Sequence, residues 1–96
     1  MLKITEYRNV LGEDGKSIKR EKIDLKELEK FNYLYDNFNE CWTKEYDANY
    51  EVSIFKDKTM IGNTFDEEEY IREFDVKEED IPDLIQANLV EKVSDR

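Results

Sequence analysis

Residues 66–80, DEEEYIREFDVKEED, carry nine carboxylates (Asp66, Glu67, Glu68, Glu69, Glu73, Asp75, Glu78, Glu79 and Asp80) against two cations, Arg72 and Lys77. Grouped carboxylates suit two kinds of chemistry. A pair can act as the acid and base of a glycosidase or hold magnesium or calcium. An uncompensated row can instead meet a basic partner by charge complementarity. The first kind finds little support. A chain of 96 residues struggles to build the deep cleft that shields a sugar, and DEEEYIREFD lacks the alternation of a calcium loop.

Other chemistries are removed by composition. The chain has no histidine and one cysteine, Cys41. That excludes imidazole acid–base catalysis, Ser-His-Asp and Cys-His nucleophiles, intrachain disulfides and cysteine zinc clusters. Three glycines leave no phosphate-cradling loop. The expectation is a non-enzymatic protein with no cofactor and no metal.

The second kind of chemistry fits the charge distribution. Net charge is −10, and it is uneven: residues 1–24 hold six basic and five acidic side chains, whereas residues 25–96 hold nine and twenty. A field of that sign repels nucleic acid and acidic membranes and attracts basic surfaces. Soluble surfaces usually intersperse both signs, and like charges on adjacent helical turns cost about 0.2–0.5 kcal/mol per pair. A run kept despite that cost points to a partner, although a plain solvated face gives the same pattern. The expected partner is a basic, nucleic-acid-binding protein rather than nucleic acid or membrane. Tyr35, Tyr46, Tyr50 and Tyr70 are the aromatic candidates for anchoring it.

The elements that must position these groups are read from hydrophobic period and turn chemistry. LKITEYRNVLGEDGKSIKREKI predicts a hairpin turning at residues 12–15, with a polar, charged edge as its return strand. Asp24, Glu27, Ile23 and Leu28 form a capping box and hydrophobic staple. Leu28, Phe31, Tyr35, Phe38, Trp42 and Tyr46 follow at steps of three or four, predicting a long amphipathic helix over 25–46 with Cys41 packed on its buried side. NYEVSIF predicts a strand with Tyr50, Val52 and Ile54 on one face, and TMIG a second strand pairing back on it. Thr64 and Glu67 form another capping box, predicting a short helix over 65–74 with Phe65, Ile71 and Phe74 inward. Asp80 caps a last helix with Pro82 in its first turn, and LVEKV fits either helix or strand. The fold class expected is α+β: one small domain of antiparallel hairpins packed on a long amphipathic helix, with two short C-terminal helices. No stretch approaches the 18 apolar residues of a membrane span, and the first residues lack the apolar core of a signal peptide. The natural compartment is the cytoplasm, that of the host cell if the protein is phage-encoded.

The segment FNECWTKEYD, with Phe38, Trp42, Glu45, Tyr46 and Asp47, resembles a stretch in a small acidic anti-CRISPR family of Listeria prophages. The resemblance implies an inhibitor that sets carboxylates where DNA would sit on a Cas nuclease, with Glu45 and Asp47 joining the acidic face. The order departs from that family, since NYEVSIFKDKTMIGN separates this segment from FDEEEY. More broadly, length, charge and lack of catalytic residues are similar to those of phage anti-defence proteins that mimic DNA. Two other readings stand beside it. One is an immunity protein or antitoxin that neutralises a basic toxin. The other is a degenerate winged-helix protein-interaction domain, suggested by the helix–turn–helix–strand rhythm of EEYIREFDVKEEDIPDLIQANLVEKV.

Overall fold

The computed structural model describes residues 1–65 and 71–93. In chain order the elements are β1 (Leu2–Ile4), β2 (Tyr7–Leu11), β3 (Ile18–Lys22), a 3-10 helix (Leu25–Phe31), β4 (Leu34–Asp36), β5 (Cys41–Asp47) and β6 (Tyr50–Phe55). They are followed by β7 (Met60–Phe65), β8 (Ile71–Phe74), a 3-10 turn (Glu78–Asp80), α1 (Pro82–Gln86) and β9 (Val90–Lys92). Strands β4-β5-β6-β7-β8 form an antiparallel sheet in sequence order, β2 and β3 form a two-stranded sheet, and β1 pairs with β9. Among the described residues no helix is long and apolar enough to cross a membrane.

The expected α+β class is overturned, because the chain is mostly β-sheet and the long helix over 25–46 does not form. Its start was legible. Asp24 caps the 3-10 helix by accepting from the Lys26 amide, and Ile23 and Leu28 are buried as a staple requires. The helix then stops at Asn32, whose left-handed backbone (φ 69°) returns its N–H to Glu29 and Leu28 carbonyls. Beyond it, Asp36 accepts from the Phe38 and Asn39 amides and from the Asn39 side chain, closing a turn between β4 and β5. The aromatic stripe read at period 3.6 is spent differently: Tyr35 stands opposite Trp42 in a cross-strand pair, their rings edge-to-face at 5.2 Å. Phe38 is 93% exposed at the turn. Cys41 is buried, but on a strand.

The helix expected over 65–74 is also corrected. Phe65 closes β7, Ile71–Phe74 is a strand, and Phe65↔Ile71 and Thr64↔Arg72 pair in register. The Thr64 hydroxyl donates to the Arg72 carbonyl instead of capping a helix. Residues 71–74 are therefore a strand where the helix–turn–helix–strand rhythm expects a helix. Asp80 does not cap α1: its carboxylate accepts from the Lys77 amide and closes the preceding 3-10 turn, while Pro82 begins α1 as expected. The 12–15 turn holds for β2 and β3, but β1 leaves that hairpin and settles LVEKV as a strand by pairing Ile4 with Val90.

The core lies on the inner face of the five-stranded sheet. Trp42, Val52, Ile54 and Met60 project from it against Leu2 and Ile4 of β1, Leu28, Tyr33, Ile81, Leu84 and Leu89, all buried. A full side chain of this kind contributes about 1.5–3 kcal/mol by leaving water. Gly62 faces the same way and stands opposite Phe74, so a Cβ there would clash with the Phe74 ring, closest to its Cζ. The bare glycine lets that ring cross β7 and meet Tyr50 edge-to-face at 6.1 Å. Gly62→Ala should therefore cost about 1–3 kcal/mol in urea unfolding, as overpacking does, and the loss should shrink on a Phe74→Leu background. Equal stability of the single variant and the parent would show that this packing does not hold β8.

Candidate functional site

A polar brace on the inner side fixes the sheet to α1. Lys44 of β5 donates to Asp83 Oδ2 at 2.7 Å, and Tyr46 Oη donates to Asp83 Oδ1 at 2.8 Å. The Tyr33 hydroxyl, wholly buried, shares a 2.6 Å hydrogen bond with Tyr46 Oη, and Tyr50 stacks on Tyr46 at 5.7 Å. Lys44 also lies over the Tyr46 ring, 4.6 Å from its centroid. Burial works to raise the Asp83 pKa, but Lys44, Tyr46 and the Leu84 amide together hold it below the ordinary carboxylate range. Burial pushes both Tyr33 and Tyr46 well above the ordinary tyrosine range. These groups are consumed by one another, which marks a structural role. Tyr35, Tyr46 and Tyr50, candidates for anchoring a partner, belong to this inner side.

The outer face of the same sheet is left open. Strand register places four side chains in one row across β5, β6, β7 and β8: Glu45↔Glu51, Glu51↔Asn63 and Asn63↔Glu73. Neighbouring strands lie about 4.8 Å apart, so three carboxylates and one amide cross the sheet in line. Two residues away along the strands, Phe65 and Ile71 form an apolar row, Ile71 being 66% exposed. On the other side lies a row of Thr43, Ser53 and Ile61, with Leu34 at its end. Asp36, paired with Cys41, adds a further carboxylate at the rim. The face is a shallow concavity of about 360 Å³. Among the described residues, none of the outward positions of β4 to β8 is a lysine or arginine.

Its electrostatics are strained. Glu51 and Glu45 stand directly opposite as like charges, a destabilising cross-strand arrangement. Burial, with the Glu45 and Asp36 charges added, raises the Glu51 pKa. Asp36 goes the other way: hydrogen bonds from the Asn39 side chain and from the Asn39 and Phe38 amides lower its pKa and keep it charged. Glu51 with its raised pKa beside a second carboxyl, Glu45, has the composition of a glycosidase pair, but the face is open and has no walls to exclude water. Among the described residues no cluster of three or more carboxylates or cysteines is arranged to hold a metal ion.

The residues expected from the sequence are thus divided. Glu73 and Glu45 lie on the outer face in one row. Asp47 does not: a bulge between Glu45 and Asp47 shifts it to the sheet end, where it accepts from the Asn49 amide in a turn. Asp75, Glu78, Glu79 and Asp80 lie elsewhere. The first three border an open groove of about 820 Å³ with Leu2, Val76 and Lys77, and Glu78 pairs with Lys92 at 3.3 Å. Asp66, Glu67, Glu68, Glu69 and Tyr70 lie outside the described residues. The face has two further contributors outside the acidic run and the Phe38–Asp47 segment, Glu51 and Asp36. The signal for Glu51 was present, because placing Val52 and Ile54 inward in NYEVSIF puts Glu51, Ser53 and Phe55 outward. No family model, curated protein or solved structure matches the chain.

Proposed function

We propose that the protein is a non-enzymatic acidic inhibitor whose open sheet face binds the basic, nucleic-acid-contacting surface of another protein. A defence nuclease of the Cas type is the target to which the resemblance at Phe38–Asp47 points. The observation that carries the proposal is the Glu45–Glu51–Asn63–Glu73 row, a line of negative charge with no cation among the outward positions described. Such a row opposes folding in isolation and gains from a partner's lysines and arginines, the groups that otherwise neutralise phosphates. Phe65 and Ile71 beside it offer apolar contact, while the charges speed encounter and fix register.

The test is capture of partners from the source cell on the immobilised protein, with and without excess duplex DNA. DNA should displace the captured protein, because both ligands fill one basic surface. A captured partner that DNA leaves in place would remove mimicry from the account, and purified partner would show whether its nuclease or binding activity falls.

A further inference from the structure

The hairpin of β2 and β3 stands apart from the rest of the molecule. Its strands pair with each other, and among the described residues no other element packs on them extensively. The Arg8 ion pair with Glu27 of the 3-10 helix, at 2.5 Å, ties its base to the body. The radius of gyration, 15.0 Å with extents of 56, 30 and 21 Å, exceeds the 12–13 Å or so expected of a compact chain this long. A two-stranded hairpin is marginal in water without a covered face.

The register gives this arm two different faces. Arg8 and Val10 are half-buried toward the body side. The other face carries Leu11↔Ile18 at the tip, then Asn9↔Arg20, then Tyr7↔Lys22, with no carboxylate among the six. Leu11 and Ile18 are each 71% exposed. Arg20 is held over the Tyr7 ring, 4.3 Å from its centroid, which orients the cation.

We infer that this arm face docks on the outer sheet face of a second copy of the chain. The two faces are complementary in sign, one bearing cations and no carboxylate, the other carboxylates and no cation at its described outward positions. They also match in spacing. Along the arm the apolar pair Leu11/Ile18 is two residues from Arg20, and along the sheet the apolar pair Phe65/Ile71 is two residues from the row of Glu51 and Glu73. Both steps are about 6.5–7 Å. Laid along the strands, the arm seats its tip on Phe65 and Ile71 and Arg20 among the carboxylates. Both copies can exchange arms reciprocally, which doubles the contact and closes the assembly as a two-fold dimer. The net charge of −10 opposes association at long range. At physiological ionic strength the Debye length of about 8 Å screens that repulsion more than contacts at the interface. The inference uses the outer face but does not depend on the identity of an outside partner.

Light scattering and sedimentation equilibrium of the full chain, from micromolar to millimolar concentration, test it. The mass should rise toward a dimer with concentration. Arg20→Glu/Lys22→Glu should weaken association roughly tenfold or more, and so should Glu51→Lys/Glu73→Lys. An equimolar mixture of the two should associate again, because each acidic arm then meets a basic face and each basic arm an acidic one. All four positions lie on open faces, and circular dichroism checks that the variants fold. A wild-type chain monomeric throughout, association that neither variant changes, or a mixture that stays monomeric overturns the inference. Partner capture by Arg20→Glu/Lys22→Glu separates this result from the reading of the face itself: retained capture leaves that reading standing whatever the oligomeric state.

Discussion

Asp83→Ala should unfold about 3 kcal/mol more easily than the parent at neutral pH, read by urea titration, with a melting temperature lower by roughly 10–20 °C for a domain of this size. The carboxylate accepts from Lys44 and Tyr46 at once, and the Lys44 side chain is only 19% exposed. Removing it strands a partly desolvated ammonium, the costly way to break such a pair. The same reasoning predicts rescue: Lys44→Met on the Asp83→Ala background should recover part of the loss, because the unpaired charge goes with it. The pH dependence has a definite sign. Asp83 is held below its ordinary pKa, so its stabilisation is present above the unfolded value near 4 and is lost as pH falls through the lower folded value. The gap between parent and variant should therefore be full at pH 6–7 and close as pH drops below about 4. A variant within about 0.5 kcal/mol of the parent at neutral pH would show that the brace does not fasten α1 to the sheet.

Glu45→Gln/Glu51→Gln/Glu73→Gln should move stability and binding in opposite directions. Each amide keeps the shape of the carboxylate while losing its charge, so the cross-strand repulsion of Glu45 and Glu51 disappears. The variant should gain about 0.2–1 kcal/mol in stability, and Glu51→Gln alone should show much of that gain. The Glu51 pKa is raised in the fold, so its charge opposes folding above its folded pKa. The advantage of Glu51→Gln should fade as pH falls and the carboxyl takes up a proton. Affinity for a captured basic partner should fall roughly a hundredfold, three contacts at about 1 kcal/mol each. The residual binding should depend less on salt. A merely solvated face would give the stability gain with affinity unchanged, and that outcome would remove the carboxylate row from the mechanism.

These two experiments probe opposite faces of one strand, and the sequence foretold the two unequally. At β5 the residues Trp42, Lys44 and Tyr46 turn inward to the core and brace, while Thr43 and Glu45 turn outward. At helical period, Trp42 and Tyr46 form one stripe with Phe38. They also satisfy a period of two, and the four-residue step is common to both templates. What separates the templates is the turn at Asp36–Asn39 and the left-handed Asn32, where Asn and Asp side-chain and backbone chemistry overrides the spacing of the aromatics.

The sequence alone determined what needs only composition and local chemistry. It excluded histidine catalysis and Cys-His nucleophiles, made the chain acidic, capped the 3-10 helix at Asp24, turned β2 into β3 near Gly12–Gly15, and put Val52 and Ile54 on one face of a strand. Tertiary structure decided which charges share a surface. The run from Glu73 to Asp80 is continuous in sequence, yet Glu73 joins Glu51 across β7 while Glu78 turns away to Lys92. Strand pairing is long-range, and a shift of one residue in register sends every side chain to the other face. A row such as Glu45–Glu51–Asn63–Glu73 is therefore assembled by pairing alone, from residues that no local pattern links.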